Sequence, residues 1–407
     1  MLKNDEFDNF DKDTVTKDDL MDCINDLFEY KDYNTVKYIN NYNKEYNNIA
    51  CFDLDHTLIR PKDNRKLPKD SEDYIYLNNV VKKLYDLYNN NYNIVIFTNQ
   101  SGNKLNDVLD KIHNIFLELL PIQLSIYIAT KDDYYRKPHT GMFELFIVQN
   151  KIDLNNIDNI FYCGDAAGRK VDFACSDYAF VYNIALKYIN IDKELRKIKF
   201  YTPEQLFLNN TDSFKIKCKD NSLQYVNDYY DEIRHMINVP HIELSDTQEI
   251  IVMCGFPGSG KSNIAKKLYS KNKNYIIISK DDHKGRSMSY IKNSLINKLS
   301  VVVDDTNVTE LTRAPYIEIA KKHNIPIKCI HVSTKLDMCK HLNDMRVEMS
   351  KGYINKVPDI AYNVLKAKFS KPLLKEGFNE VITVPFMLPS QRKKIPKEFY
   401  YIYNTLI

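Results

Sequence analysis

The chain has 407 residues, 44% of them hydrophobic and 27% charged, so it is too long for one ordinary core and too apolar to be disordered; two or three globular domains are expected. A formal net charge of +3 neither requires nor excludes a nucleic-acid partner, and any basic groove must be local. No apolar run reaches bilayer-spanning length and no secretory leader pattern opens the chain, so no membrane role is expected; the eight cysteines, none spaced C-x-x-C, argue against a zinc ribbon and for a reduced compartment.

Residues 1–45 read as a polar segment, partly disordered or helical, with one periodic stretch at Leu20, Cys23, Ile24, Leu27 and Phe28. Residues 46–210 change rhythm. Strand-like apolar runs at Ile49–Leu54, Ile94–Thr98, Ile126–Thr130, Asn159–Cys163 and Tyr178–Ile184 alternate with helical stretches such as Val80–Tyr88 and Val108–Leu119. That alternation predicts a parallel sheet with helices on both faces. Residues 211–246 are a polar connector carrying a helix. Residues 247–407 form a second α/β domain, with strands at Ile250–Gly255, Tyr275–Ser279, Ser300–Asp304 and Pro326–Val332. The predicted class is α/β, with two parallel-sheet domains in series.

The first domain delivers Asp53-Leu54-Asp55-His56-Thr57 at a strand end. Carboxylates at i and i+2 of an extended chain point to the same side. One can attack a phosphoryl group while the other manages protons, and their mutual repulsion calls for a cation, Mg²⁺ being the natural choice. The alternative is a turn with surface acids. Three later blocks support chemistry: Phe97-Thr98-Asn99-Gln100-Ser101-Gly102, Tyr135-Arg136-Lys137-Pro138, and Gly164-Asp165-Ala166-Ala167-Gly168-Arg169. They supply a hydroxyl, a cation and a further strand-end acid, in that order.

In the second domain Gly255-Phe256-Pro257-Gly258-Ser259-Gly260-Lys261-Ser262 fits G-x-x-x-x-G-K-[ST] between an apolar strand and an amphipathic helix. Glycines let backbone N–H groups close around phosphates, and the helix N-terminus adds positive potential. Gly255, Gly258, Ser259 and Gly260 therefore form an ATP cradle, with Lys261 reaching the β/γ-phosphates and Ser262 binding Mg²⁺. Two further strands end in Ser279-Lys280-Asp281-Asp282-His283-Lys284 and Asp304-Asp305-Thr306-Asn307. Acids at strand C-termini line the crevice where open α/β sheets bind ligands, so one could be a base and another could support the metal; the bland alternative is helix capping.

Both halves resemble polynucleotide kinase/phosphatase. The first carries F-D-L-D-x-T-L-I, I-F-T-N-Q, Y-R-K-P-x-T-G-M and G-D-A-A-G-R, and so also resembles the haloacid-dehalogenase phosphatase superfamily. The second carries GFPGSGKS, S-K-D-D, D-D-T-N and the tail from Glu376 to Phe386. The resemblance implies that 46–210 is a 3′-phosphatase domain and 247–407 a P-loop 5′-kinase domain. It further implies that Asp53 is the nucleophile and Asp55 the acid–base. Thr98 would bind phosphoryl oxygens, and Lys137 would neutralise the aspartyl-phosphate. Asp53, the Asp55 carbonyl and Asp165 would hold Mg²⁺ with a second acid, Asp172 or Asp177, the former preferred. In the kinase, Asp281 would be the base, Arg346 a lid arginine, and Lys280 and Lys284 cations near the substrate phosphate. His56 departs from the family, which has Gly there. Arg313 is either another basic candidate or an ordinary exposed charge. The basic stretches Lys321-Lys322 and Gln391–Lys394 are either phosphate contacts or solvated faces, the latter preferred.

The implied function is healing of DNA ends at nicks, gaps and breaks with ATP and Mg²⁺. The alternatives are the same chemistry on RNA ends, or a scaffold with inactive sites. The family points to a nuclear setting, with a viral or cytoplasmic one as the alternative, and a monomer is expected. The forkhead-associated domain of animal relatives does not fit in the first 45 residues, so docking through it is not expected.

Overall fold

The computed structural model describes residues 31–63, 65, 68–188, 198–211, 213, 242–283, 286–386 and 395–404, the side chains of 269–271 and 281 excepted. The periodic stretch Leu20–Phe28, most of the 211–246 connector, Lys284 and Gln391–Lys394 fall outside these residues. The chain folds as two compact units.

The first unit runs β1 (Lys31–Tyr33), β2 (Val36–Ile39), β3 (Asn48–Phe52), β4 (Ile59–Arg60), β5 (Ile75–Tyr76), α1 (Val80–Asn89), β6 (Tyr92–Asn99), α2 (Leu105–Glu118), β7 (Leu124–Ala129), α3 (Gly141–Asn150), β8 (Asn159–Cys163), α4 (Ser176–Tyr188), β9 (Lys199–Tyr201) and α5 (Pro203–Phe207). Seven strands form one sheet in the order β1-β2-β7-β6-β3-β8-β9. From β7 to β9 all neighbours are parallel, while β1 and β2 add to the β7 edge antiparallel. The central strands are apolar runs buried on both faces, as parallel sheets require. Ile94 and Ile96 of β6 meet the stripe Val108, Ile112, Ile115 and Phe116 of α2. Phe97, pointing the other way, packs among Tyr127, Phe143, Phe146 and Phe180. Each such buried side chain contributes about 1.5–3 kcal/mol.

Two expectations change here. Lys31–Ile39, expected within a polar, partly disordered or helical segment, forms two strands, because Val36 and Ile39 bury their side chains at the sheet edge. Tyr178–Ile184, expected as a strand, lies in α4, and the edge strand is β9 instead. A short run that is apolar almost all round carries no period to separate a buried strand from a buried helix.

The second unit runs β10 (Ile250–Cys254), α6 (Lys261–Lys271), β11 (Tyr275–Ile278), α7 (Lys280–His283), α8 (Ser287–Ile296), β12 (Ser300–Val303), α9 (Glu310–His323), β13 (Ile327–Val332), α10 (Leu336–Met349), α11 (Asp359–Lys368) and β14 (Glu380–Val384). Its five strands are all parallel, in the order β11-β12-β10-β13-β14. Alternate residues of β10 feed two cores: Ile250, Val252 and Cys254 on one face, Ile251 and Met253 on the other. In each unit the strand order reverses about a central strand, with β6 and later β8 laid down on either side of β3, and β12 and then β13 on either side of β10. That switch opens a crevice at the strand C-termini.

Candidate active sites

In the first unit the crevice lies past Phe52, which pairs with Ile96 on one side and Cys163 on the other. Asp53 follows directly, its N–H donating to the Cys163 carbonyl. The buried Lys137 ammonium uses all three donors: 2.5 Å to Asp53 Oδ1, 2.7 Å to Asp177 Oδ1 and 2.9 Å to the Tyr162 hydroxyl. Burial works against its charge, but Asp177 and Asp53 outweigh that and hold its pKa above the ordinary lysine value. The Asn99 amide fixes the lysine's backbone, accepting from Lys137 N–H at 2.9 Å and donating to its carbonyl at 3.1 Å.

Carboxylate oxygens of Asp53, Asp165 and Asp177 lie within 4.8 Å of one another. Burial, opposed by Lys137 and reinforced by Asp177 and Asp55, lifts Asp53 to about 7. Burial, with Asp177 and Asp53 adding to it, lifts Asp165 to about 8. Three acids draw together around the Lys137 ammonium, and this donor set fits a hard divalent cation. Gly164 is required by close approach: a Cβ there would lie 2.5 Å from Asp177 Cγ. The Thr57 hydroxyl, fully buried, accepts from the Asp165 N–H at 3.0 Å.

Asp172, preferred as the second acid, is not in this group. Its carboxylate pairs with Arg169 at 2.9 Å within its own loop, and Asp177 stands in its place. The G-D-A-A-G-R spacing favoured the nearer acid, but the helix beginning at Ser176 returns Asp177 to the strand end. Thr98 is 1% exposed and beside the crevice, its hydroxyl accepting from Gln100 Nε2 at 2.8 Å. Asp55 is half-buried, with Lys111 Nζ 2.8 Å from Oδ1 and Gln100 Nε2 2.6 Å from Oδ2. His56 adopts a left-handed φ of 60°, and its N–H donates to the Ile59 carbonyl at 2.6 Å.

Sequence reasoning gave no role to Asn99, Gln100, Lys111 or Tyr162. For Lys111 a signal existed: it occupies an inward position of the apolar stripe of α2, where a lysine needs a buried partner.

In the second unit β10 runs into the phosphate loop and α6. Gly258 has φ of 75°, and a Cβ on it would sit 2.3 Å from the Cys339 carbonyl of α10. The loop is further held by Thr334 Oγ1, which donates to Ser259 O at 2.7 Å, and by the Tyr362 hydroxyl, which donates to Pro257 O at 3.2 Å. Lys261 folds onto the loop, donating to Gly255 O at 2.9 Å and Phe256 O at 2.7 Å. Burial lowers its pKa, partly offset by Asp304. Ser262 is exposed at the start of α6. Asp304 and Asp305 follow β12, as a strand-end acid pair should.

Lys280 pairs with Asp305 at 2.8 Å, so its charge is engaged within the protein. The backbone of Asp281 lies in the one-turn helix α7. Arg346 is exposed on α10, donating to Asn343 Oδ1 at 3.1 Å one turn from the point where Gly258 meets that helix. Arg313 is neither an exposed charge nor a phosphate ligand. It is fully buried in a bidentate pair with Glu376, at 2.8 Å for both bonds, and also donates to the Asn307 carbonyl at 2.9 Å.

Residues 48–207 match the polynucleotide kinase 3 phosphatase family, and residues 249–380 match the family of chromatin associated protein KTI12. The bifunctional polynucleotide phosphatase/kinase of Schizosaccharomyces pombe is 36% identical over 372 residues, covering 86% of this chain and 83% of the relative. This chain belongs to the bifunctional polynucleotide phosphatase/kinase family. The putative bifunctional polynucleotide phosphatase/kinase of Acanthamoeba polyphaga mimivirus is 33% identical over 387 residues, covering 86% of this chain and 87% of the relative. The polynucleotide 3′-phosphatase of Saccharomyces cerevisiae is 30% identical over 219 residues, covering 39% of this chain and 87% of its own length. The two matched ranges of this phosphatase/kinase chain bracket its two constellations, Asp53 to Asp177 in one and Gly255 to Glu376 in the other.

Proposed function

We propose that this chain heals DNA ends, hydrolysing 3′-phosphates in its first unit and phosphorylating 5′-hydroxyls with ATP in its second. The observation that carries the reading is the buried Lys137 ammonium bridging Asp53 and Asp177 beside Asp165, in a chain that also bears a complete phosphate loop. A scaffold with inactive sites would have no use for so costly a cluster.

In the phosphatase, Asp53 attacks phosphorus and the bond to the 3′-oxygen breaks. Asp55 gives its proton to that oxygen, then takes one from the water that hydrolyses the aspartyl-phosphate. Thr98 and Lys137 meet the phosphoryl oxygens. A divalent cation, Mg²⁺ in this reading, would be held by Asp53, Asp165, Asp177 and the Asp55 carbonyl, and supplies positive charge against the phosphoryl group. In the kinase, the loop amides and Lys261 hold the ATP phosphates, Ser262 and the strand-end acids Asp304 and Asp305 face the metal side, and Asp281 takes the proton of the attacking 5′-hydroxyl. Arg346 closes over the transferring group.

The working unit in this reading is a monomer, which sedimentation of the purified protein tests. Work on chromosomal ends implies a nuclear setting, which imaging of the tagged protein tests. The function is tested on a nicked duplex with 3′-phosphate and 5′-hydroxyl ends, given ATP and Mg²⁺. Wild type should convert both ends, Asp53→Asn only the 5′ end and Lys261→Ala only the 3′ end. A matched RNA duplex turned over faster would shift the substrate to RNA. A wild type inert on both would overturn the reading.

A further inference from the structure

We infer that Lys111, with Gln100, is a positioning residue for the phosphatase reaction, holding Asp55 for proton transfer to the leaving 3′-oxygen. The inference rests on the acid–base reading of Asp55 given above. Lys111 belongs to the face of α2 that also carries Val108, Ile112 and Ile115, and it is 4% exposed. An ammonium so placed needs a partner, and Asp55 Oδ1 supplies one at 2.8 Å. The other carboxylate oxygen is taken by Gln100 Nε2 at 2.6 Å, and the same amide nitrogen lies 2.8 Å from Thr98 Oγ1. Gln100 is in turn fixed by Asn103, whose Nδ2 donates to Oε1 at 2.8 Å. Asp55 is thus gripped at both oxygens by two residues that sequence analysis left without a role, and one of them also ties it to the hydroxyl assigned to the phosphoryl group.

The chemistry gives this grip a purpose. In the first step the Asp53–phosphorus bond forms, the phosphorus–O3′ bond breaks, and the proton of Asp55 passes to O3′. Asp55 is left as a carboxylate, and its new charge faces the Lys111 ammonium. In the second step that carboxylate takes a proton from water, the water oxygen bonds to phosphorus, and the Asp53–phosphorus bond breaks to release phosphate. Lys111 therefore stabilises the form of Asp55 that exists between the two steps, and with Gln100 keeps it aimed at the leaving oxygen. A lysine present only to fill the stripe of α2 would have no such effect on the leaving-group step.

The test compares two oligonucleotides that differ by one atom, a 3′-O-phosphate and a 3′-phosphate whose bridging oxygen is sulfur. Thiolate leaves without protonation, so the sulfur substrate does not need the acid. Single-turnover release of the 3′ end is measured for wild type, Lys111→Met, Lys111→Arg, Gln100→Leu and Asp55→Asn, with the thermal unfolding of each preparation, followed by calorimetry, as the check on folding. In Lys111→Met the rate on the oxygen substrate should fall about tenfold or more, while the rate on the sulfur substrate stays within about twofold. Gln100→Leu should show the same split, and Lys111→Arg, which keeps the charge, should recover most of the loss. Asp55→Asn calibrates the assay: if it slows both substrates equally, the acid–base reading of Asp55 fails. If Asp55→Asn discriminates but Lys111→Met slows both substrates equally, or neither, the inference about Lys111 is overturned. Should Lys111→Met not fold, Gln100→Leu and Lys111→Arg decide by the same ratio.

Discussion

Replacing Lys137 with Met removes the ammonium that bridges Asp53 and Asp177 while keeping the aliphatic volume. The Lys137 and Asp177 side chains are each 2% exposed and that of Asp53 is 12% exposed, so water does little to replace the lost ammonium. The cluster goes from three acids and one ammonium to three acids alone, and breaking a buried pair of this kind costs about 3–5 kcal/mol. For a unit of this size that is a fall in melting temperature of about 6–20 °C in metal-free buffer. Protons soften the loss: with Asp53 lifted to about 7 and Asp165 to about 8 already in the intact site, acid buffer neutralises part of the cluster. The loss should therefore be larger at about pH 8 than at about pH 6. Differential scanning calorimetry at both values, with EDTA and with Mg²⁺, reads this out, and Mg²⁺ should restore part of the loss. Phosphatase turnover should drop by about 10²–10³-fold, with kinase turnover unchanged. A melting shift below about 2 °C at both pH values, or a loss independent of pH, would refute the electrostatic account.

The intact protein should show a related linkage. Asp53 and Asp165 titrate higher in the folded protein than in the unfolded chain, so the native state holds protons the unfolded state has lost from about pH 4 up to their raised values near 7 and 8. Metal-free stability should fall as pH rises through that window, and the melting gain from added Mg²⁺, followed by thermal scans, should grow with pH. Gly258→Ala places a Cβ 2.3 Å from the Cys339 carbonyl at a left-handed φ, and should weaken ATP binding at least about tenfold by calorimetry while sparing the phosphatase. Arg313→Met should destabilise the kinase unit by about 3–5 kcal/mol in denaturant titration, and the double variant Arg313→Met/Glu376→Met should regain most of it, since both charges of the buried pair are then gone.

The strands that carry chemistry were legible because parallel strands buried on both faces are nearly unbroken apolar runs, and because each ends in a polar block. Asp53, Thr98 and Asp165 stand at such strand ends; they and Lys137 were named through the resemblance of their blocks to a known family, and the phosphate loop through its complete motif. What the sequence hid depends on long-range return. Asp177 reaches the cluster only because α4 starts beside Gly164, and nothing in its local spacing sets it above Asp172. Arg313 looked like any charge after a turn until Glu376, far along the chain, closed on it. Tyr178–Ile184 was misread as a strand for want of a period, and β1 and β2 are too short and polar to announce a sheet edge.

The two hydrogen bonds between the Asn99 side chain and the Lys137 backbone make the end of β6 and the lysine turn a single mechanical part. Thr98 and the Lys137 ammonium thus keep a constant spacing as the sheet flexes, like jaws cut from one block. On the opposite wall, half-buried Asp55 reaches that block through Gln100, and His56 holds a left-handed turn.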